Sequence, residues 1–174
     1  MTARAHHGKL HPGQLNMVKH ADTIPDGENS LLLDDQLCFA LHAAARAMSS
    51  VYMETLRDHG LTYPQYLVLI CLFEEDGLTV GQLGRRLQLD SGTLTPLLKR
   101  LEIDGAVIRR RANHDERRVE VRLTTKGRGY RDVAKRARAV VLQRLRMTNQ
   151  ELSNFRGQLA NMTERLRNEN PSDE

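Results

Sequence analysis

At 174 residues with 40% apolar content, the chain is long enough for one substantial core and too short for two large domains. Aromatics make up 4%, Trp is absent and 28% of residues are charged, a balance that favours helices over packed sheets. Two cysteines, Cys38 and Cys71, do not resemble a disulfide framework. No stretch reaches the roughly 20 apolar residues that cross a bilayer, and no signal peptide precedes them, so a cytoplasmic protein without membrane association is expected.

Residues 1–30 mix His, Gly, Pro, Asn and charges without an apolar period and read as a flexible extension. His6, His7, His11 and His20 lack the fixed geometry that a metal site needs, so neither metal nor cofactor is expected. From Asp34 to His59, Leu37, Leu41, Ala44, Met48, Val51 and Leu56 recur at three- and four-residue steps, the period of an amphipathic helix ended by Gly60. Thr62-Tyr63-Pro64-Gln65 is a capping box with Pro in the first turn, opening a helix to about Glu75 that carries Leu67, Ile70 and Cys71 inward.

A second capping box, Thr79-Val80-Gly81-Gln82, starts a short helix, and Gln88-Leu89-Asp90 forms a turn. Asp90 caps a third helix to Asp104 with Leu94, Leu97, Leu98 and Leu101 inward, and Pro96 is expected to distort it slightly. Residues 106–111 and 117–123 then read as two strands, with Asn113 to Glu116 as the turn. Helices return from Thr124 to about Arg146 and, after the capping box Thr148-Asn149-Gln150-Glu151, to about Arg167.

Two short helices joined by a tight turn and followed by an Arg-rich hairpin have the layout of a winged helix-turn-helix, which binds double-stranded DNA. The charge supports this. Residues 80–131 hold thirteen Lys or Arg against six Asp or Glu, whereas the remainder holds thirteen against sixteen. Ser91, Gly92, Thr93 and Thr95 suit the front of a recognition helix, Lys99 and Arg100 lie one to two turns later, and Arg85 and Arg86 face the DNA backbone from the preceding helix. Arg117 at the hairpin tip is the candidate for minor-groove insertion, with Asp115 holding its guanidinium.

Cys38 is expected near the positive end of a helix, three residues after the candidate N-cap Asp35, which favours the thiolate; Asp34 and Asp35 oppose this, and His42 follows one turn on. The residues alone leave open an inert cysteine on a dimer-packing helix. Tyr52 and Tyr63 are hydrogen-bonding candidates for the sulfur, but Tyr52 is fourteen residues further along, roughly 21 Å of rise, so a second subunit would have to supply it. A homodimer is also expected because residues 31–59 and 125–167 offer more apolar surface than the winged module covers, including Leu142, Leu145, Leu152, Leu159 and Leu166. Cys71, within an apolar run, reads as core.

The fold expected is therefore mainly α with a small β-hairpin wing, a winged helix-turn-helix dimerised through its N- and C-terminal helices. The extension occupies 1–30 and one domain occupies 31–174, with dimerisation helices at 31–61 and 124–168 around a DNA-binding module at 62–123.

Residues 34–168 resemble the MarR family, and within it the organic hydroperoxide resistance regulators. The resemblance rests on Asp35-Gln36-Leu37-Cys38-Phe39, Leu61-Thr62-Tyr63-Pro64-Gln65-Tyr66, the stretch from Leu89 to Arg100, and Asp115-Glu116-Arg117. It implies a homodimeric repressor on an inverted-repeat operator, in which organic hydroperoxides oxidise Cys38 and DNA is released. It further implies that Tyr52 and Tyr63 of one subunit bond Cys38 of the other. Residues 124–174 lack the second cysteine of some members, which implies the one-cysteine mode: the sulfenic acid is capped by a small cellular thiol or oxidised further. His42 stands where related proteins often have Tyr. Two other functions compete: a MarR-type repressor released by a non-covalent small aromatic ligand, with Cys38 structural, and a thiol peroxidase, which the lack of a resolving cysteine disfavours.

Overall fold

The computed structural model describes residues 31–112 and 115–168, the stretches 111–112 and 115–118 by backbone alone. The histidines of the N-terminal extension therefore lie outside the described residues. Two units are distinguished, residues 1–40 and 41–174.

In the first unit, Leu33–Asp35 form a single 3-10 turn and α1 (Leu37–Leu56) starts immediately after Gln36. The Gln36 carbonyl accepts the amides of Phe39 at 3.1 Å and Ala40 at 3.2 Å, which closes the first helical turn. The helix expected from Asp34 to His59 is thus interrupted at its start, and Arg57–His59 form a second 3-10 turn at its far end. Gly60 stops the chain there in the left-handed region, φ +69°.

In the second unit, α2 (Tyr63–Glu74) begins at a complete capping box: Gln65 Oε1 accepts the Thr62 amide at 2.8 Å while Thr62 Oγ1 accepts the Gln65 amide. The same device starts α3 (Val80–Leu87) at Thr79 and α6 (Asn149–Asn168) at Thr148. Between α3 and α6 lie α4 (Ser91–Ile103), β2 (Val107–Ala112), β3 (Asp115–Leu123) and α5 (Thr125–Leu145). Pro96 falls inside α4, and the helix runs through it without a break.

The sheet holds one strand more than the sequence pattern suggests. Residues Leu78–Thr79 form β1, pairing antiparallel with Val121 and Glu120, so the order is β1-β3-β2. The second strand of the hairpin also starts earlier than expected: Ala112 pairs with Asp115 across a register shift at Arg111/Ala112, and Asp115 and Glu116 already belong to β3.

The core gathers Val68, Leu69 and Leu72 of α2, Leu83 of α3, Leu94, Leu98 and Leu101 of α4, Val107 and Val121 of the sheet, and Val133 and Ala137 of α5. Full burial of each large apolar side chain contributes about 1.5–3 kcal/mol, which fixes α4 against the rest of the module. Four polar contacts add direction. Asp76 Oδ1 accepts the Leu123 amide at 2.8 Å and its Oδ2 receives Arg128 at 3.2 Å, tying the end of α2 to β3 and α5. Asp104, at the end of α4, receives Lys126 on Oδ1 at 2.7 Å and the Tyr130 hydroxyl on Oδ2 at 3.0 Å. Gly127 lets α5 approach the Ala106 carbonyl so closely that a Cβ there would stand 2.0 Å from the oxygen.

Against this, the long helices α1 and α6 bury little: α6 has no buried residue and α1 only Leu56. Leu33, Leu37, Phe155 and Leu166 are exposed.

Candidate nucleic-acid interface and thiol site

Helix α4 is two-faced by its spacing. Leu94, Leu98 and Leu101 point into the core, which leaves Ser91, Gly92, Thr93, Thr95, Lys99 and Arg100 all exposed along the outer side. Asp90 caps it: Oδ1 accepts the Thr93 amide at 2.8 Å and Oδ2 accepts the Thr93 hydroxyl at 2.9 Å. These bonds from Thr93, the backbone one first, hold the Asp90 carboxyl below the usual carboxylate range.

The basic residues divide into two groups. Arg86 pairs with Glu74 and Glu75, Arg109 makes a forked pair with Glu102 at 2.9 Å and 2.5 Å, and Arg122 pairs with Glu120 at 2.9 Å. Arg86, read from the sequence as facing DNA, is thereby committed to the end of α2. Arg85, Lys99, Arg100 and Arg110 are exposed and have no ion-pair partner among the described residues. These four unpaired cations lie on α3, α4 and β2, around the helix-turn-helix. Asp115 and Arg117 contribute their backbone to β3, and their side chains fall outside the described residues.

The two cysteines sit in opposite environments. Cys71 is 6% exposed, and burial pushes its thiol pKa up, so it is shielded and neutral. Cys38 is an exposed free thiol at the second position of α1, with Asp34 and Asp35 in the turn just ahead.

Tyr52 and Tyr63, the two phenols singled out from sequence, meet within one chain. Their ring centroids are 5.0 Å apart, and Tyr66 completes a triad at 4.8 Å from Tyr52 and 6.0 Å from Tyr63. Burial first, and the Tyr52 phenol next, raise the pKa of both Tyr63 and Tyr66 above an ordinary phenol. Both therefore remain protonated donors at neutral pH. Sequence reasoning missed Tyr66, although its three-residue spacing from Tyr63 places the two on one side of α2.

Comparison with known proteins fits this geometry. Residues 50–132 match the family model described as transcriptional regulator SarA/Rot. The chain is 39% identical over 138 residues to the organic hydroperoxide resistance transcriptional regulator of Bacillus subtilis, covering 79% of this chain and 94% of that protein. The chain belongs to the MarR-like SarA/Rot family of transcriptional regulators. The α3–α4 pair with the β2–β3 hairpin beside it has the winged-helix arrangement of this MarR-like family. A further relative is the HTH-type transcriptional regulator TtmR of Methylorubrum extorquens, 61% identical over 99 residues; the match spans 57% of this chain and 51% of TtmR. Among solved structures, reduced AbfR bound to DNA superposes with a TM-score of 0.65 at 35% identity, covering 77% of this chain and 93% of that one. AbfR has also been solved overoxidised on DNA and with a disulfide formed. No helix among the described residues is long and apolar enough to cross a membrane.

Proposed function

We propose that this regulator is a cytoplasmic, homodimeric repressor that senses organic hydroperoxides by oxidation of Cys38 and then releases an inverted-repeat operator. The observation that carries the reading is an exposed thiol at the start of α1, in a chain that aligns with nearly the whole of a hydroperoxide resistance regulator.

The Cys38 thiolate attacks one oxygen of the hydroperoxide, the O–O bond breaks, and the alkoxide leaves and takes a proton as the alcohol; sulfur is oxidised to the sulfenic acid. A small cellular thiol then displaces water from it to give a mixed disulfide. Cys71 is too buried to resolve the sulfenic acid, which argues against turnover as a thiol peroxidase. That AbfR has been solved on DNA while overoxidised supports the capped form, bulkier than added oxygen, as the one that lets go.

The exposed leucines of α1 and α6 supply the dimer surface. In that dimer the partner subunit's Tyr52 and Tyr63 donate to Cys38, and oxidation breaks those bonds. Ser91, Gly92, Thr93, Thr95, Lys99 and Arg100 enter the major groove, and Arg117, oriented by Asp115, enters the minor groove.

Gel-shift titration of an operator fragment with wild type and Cys38→Ser, before and after cumene hydroperoxide, tests this. Peroxide should free DNA from the wild type alone. Release from the Ser variant as well would show that a non-covalent ligand, or another residue, is the switch.

A further inference from the structure

Within the recognition helix the hydroxyls of Ser91, Thr93 and Thr95 are not equivalent. Thr93 is exposed, yet its Oγ1 lies 2.9 Å from Asp90 Oδ2, while Oδ1 of the same carboxylate takes the Thr93 amide at 2.8 Å. An ionised carboxylate has no proton to give, so the hydroxyl proton of this pair can come only from Thr93. Gly92 makes room for the clamp: a Cβ there would stand 3.0 Å from Asp90 Oδ1. Ser91 and Thr95 have no such clamp among the described residues, so their hydroxyls can turn to donate or accept.

Thr93 therefore faces outward with its proton already spent, presenting only lone pairs and a methyl group. In the major groove, thymine O4 and guanine O6 and N7 are acceptors that such a group repels, whereas adenine N6 and cytosine N4 carry amine hydrogens that it can accept. We propose that Thr93, polarised by Asp90, is a specificity-determining residue that selects an amino-bearing base, adenine or cytosine, at one position of each operator half-site. The inference rests on the reading of α4 as the DNA-recognition helix and adds to it the chemical class of the base.

Asp90→Asn separates polarity from shape. The amide oxygen still caps the Thr93 amide, since Asn is as good an N-cap as Asp, but its NH2 now donates to Thr93 Oγ1 and frees the hydroxyl proton for DNA. Thr93→Val keeps the shape and removes the hydroxyl. The experiment selects sites from a random duplex library with the full chain under reducing conditions, followed by affinity measurements on the four base variants at the discriminated position.

Wild type should favour A or C over G or T on the contacted strand by about five- to tenfold, the worth of one hydrogen bond plus the avoided repulsion. Asp90→Asn should shift the preference towards G or T at that position alone, and Thr93→Val should flatten it to within about twofold. If both variants select the wild-type motif unchanged, the inference is wrong while the DNA-binding reading stands. If wild type enriches no motif, the DNA-binding reading fails and takes this inference with it.

Discussion

Replacing Asp76 by Ala removes one carboxylate from between three elements. Its Oδ1 is the acceptor for the amide of Leu123, a residue only 4% exposed, and also for the Gly77 amide at 3.0 Å. Leaving a shielded backbone N–H without an acceptor costs about 1–3 kcal/mol. The Arg128 contact, whose guanidinium side chain is more than half exposed, adds about 0–1 kcal/mol after solvent screening. The expected loss for Asp76→Ala is therefore about 1–4 kcal/mol, seen as a fall of about 2–4 °C in Tm for each kcal/mol lost. Asp76→Asn retains an amide oxygen for Leu123 and forfeits only the charge on Arg128, so it should lose under about 1 kcal/mol. Urea unfolding of both variants at one fixed protein concentration measures the difference, since the apparent stability of the proposed dimer would vary with concentration. Equal losses for Ala and Asn, or an Ala variant within about 0.5 kcal/mol of wild type, would refute the assignment of Asp76 as the acceptor that anchors β3.

Three further outcomes are expected. Arg117→Ala should weaken operator binding about tenfold or more while sedimentation shows an unchanged dimer; normal affinity would mean that the wing does not reach DNA. Gly127→Ala should cost about 2–4 kcal/mol in thermal unfolding, because its Cβ meets the Ala106 carbonyl, whereas Gly129→Ala, with nothing within 4 Å, should stabilise the same helix by about 0.5–1 kcal/mol. The hydrogen bonds from Arg109 hold the Glu102 carboxyl below its ordinary range, so this pair stabilises above the unfolded carboxyl pKa and ceases to as pH falls through the lower folded value. With both side chains about one-third exposed, Glu102→Gln should lose at most about 1 kcal/mol at pH 7 and progressively less as pH falls through the lowered folded value, and a deficit independent of pH would contradict that origin.

What the sequence makes legible is what is local. The capping boxes at Thr62, Thr79 and Thr148 each depend on residues three apart, and each opens a helix where the pattern places it. The inward leucines of α4 follow from a 3.6-residue period, and so does its exposed polar side. Strand β1 is not legible because two residues carry no period; Leu78 and Thr79 are a strand only through Val121 and Glu120, more than 40 residues away. The anchoring role of Asp76 is hidden for the same reason, its main partner being Leu123.

At the candidate site, composition locates the basic module but cannot tell which cations are already neutralised. Arg86, Arg109 and Arg122 find carboxylates that only the folded chain brings near, or, for Glu120 and Arg122, that alternate along one strand. The tyrosine triad shows both limits at once: Tyr63 and Tyr66 share a side of α2 by spacing, while Tyr52 joins them by tertiary packing. The Asp90 cap is readable as a pattern, but the second bond, to the Thr93 hydroxyl, requires a rotamer.

The central claim, that one exposed sulfur is the switch, is tested most directly by intact-protein and peptide mass spectrometry. The DNA-bound protein is given one equivalent of cumene hydroperoxide per protomer with a small thiol present, and free DNA is measured in the same samples. A single thiol adduct on Cys38, none on Cys71, and a released fraction that rises in step with the adduct are expected. DNA released while Cys38 remains a thiol, or a Cys38 adduct that leaves the operator fully bound, would contradict it.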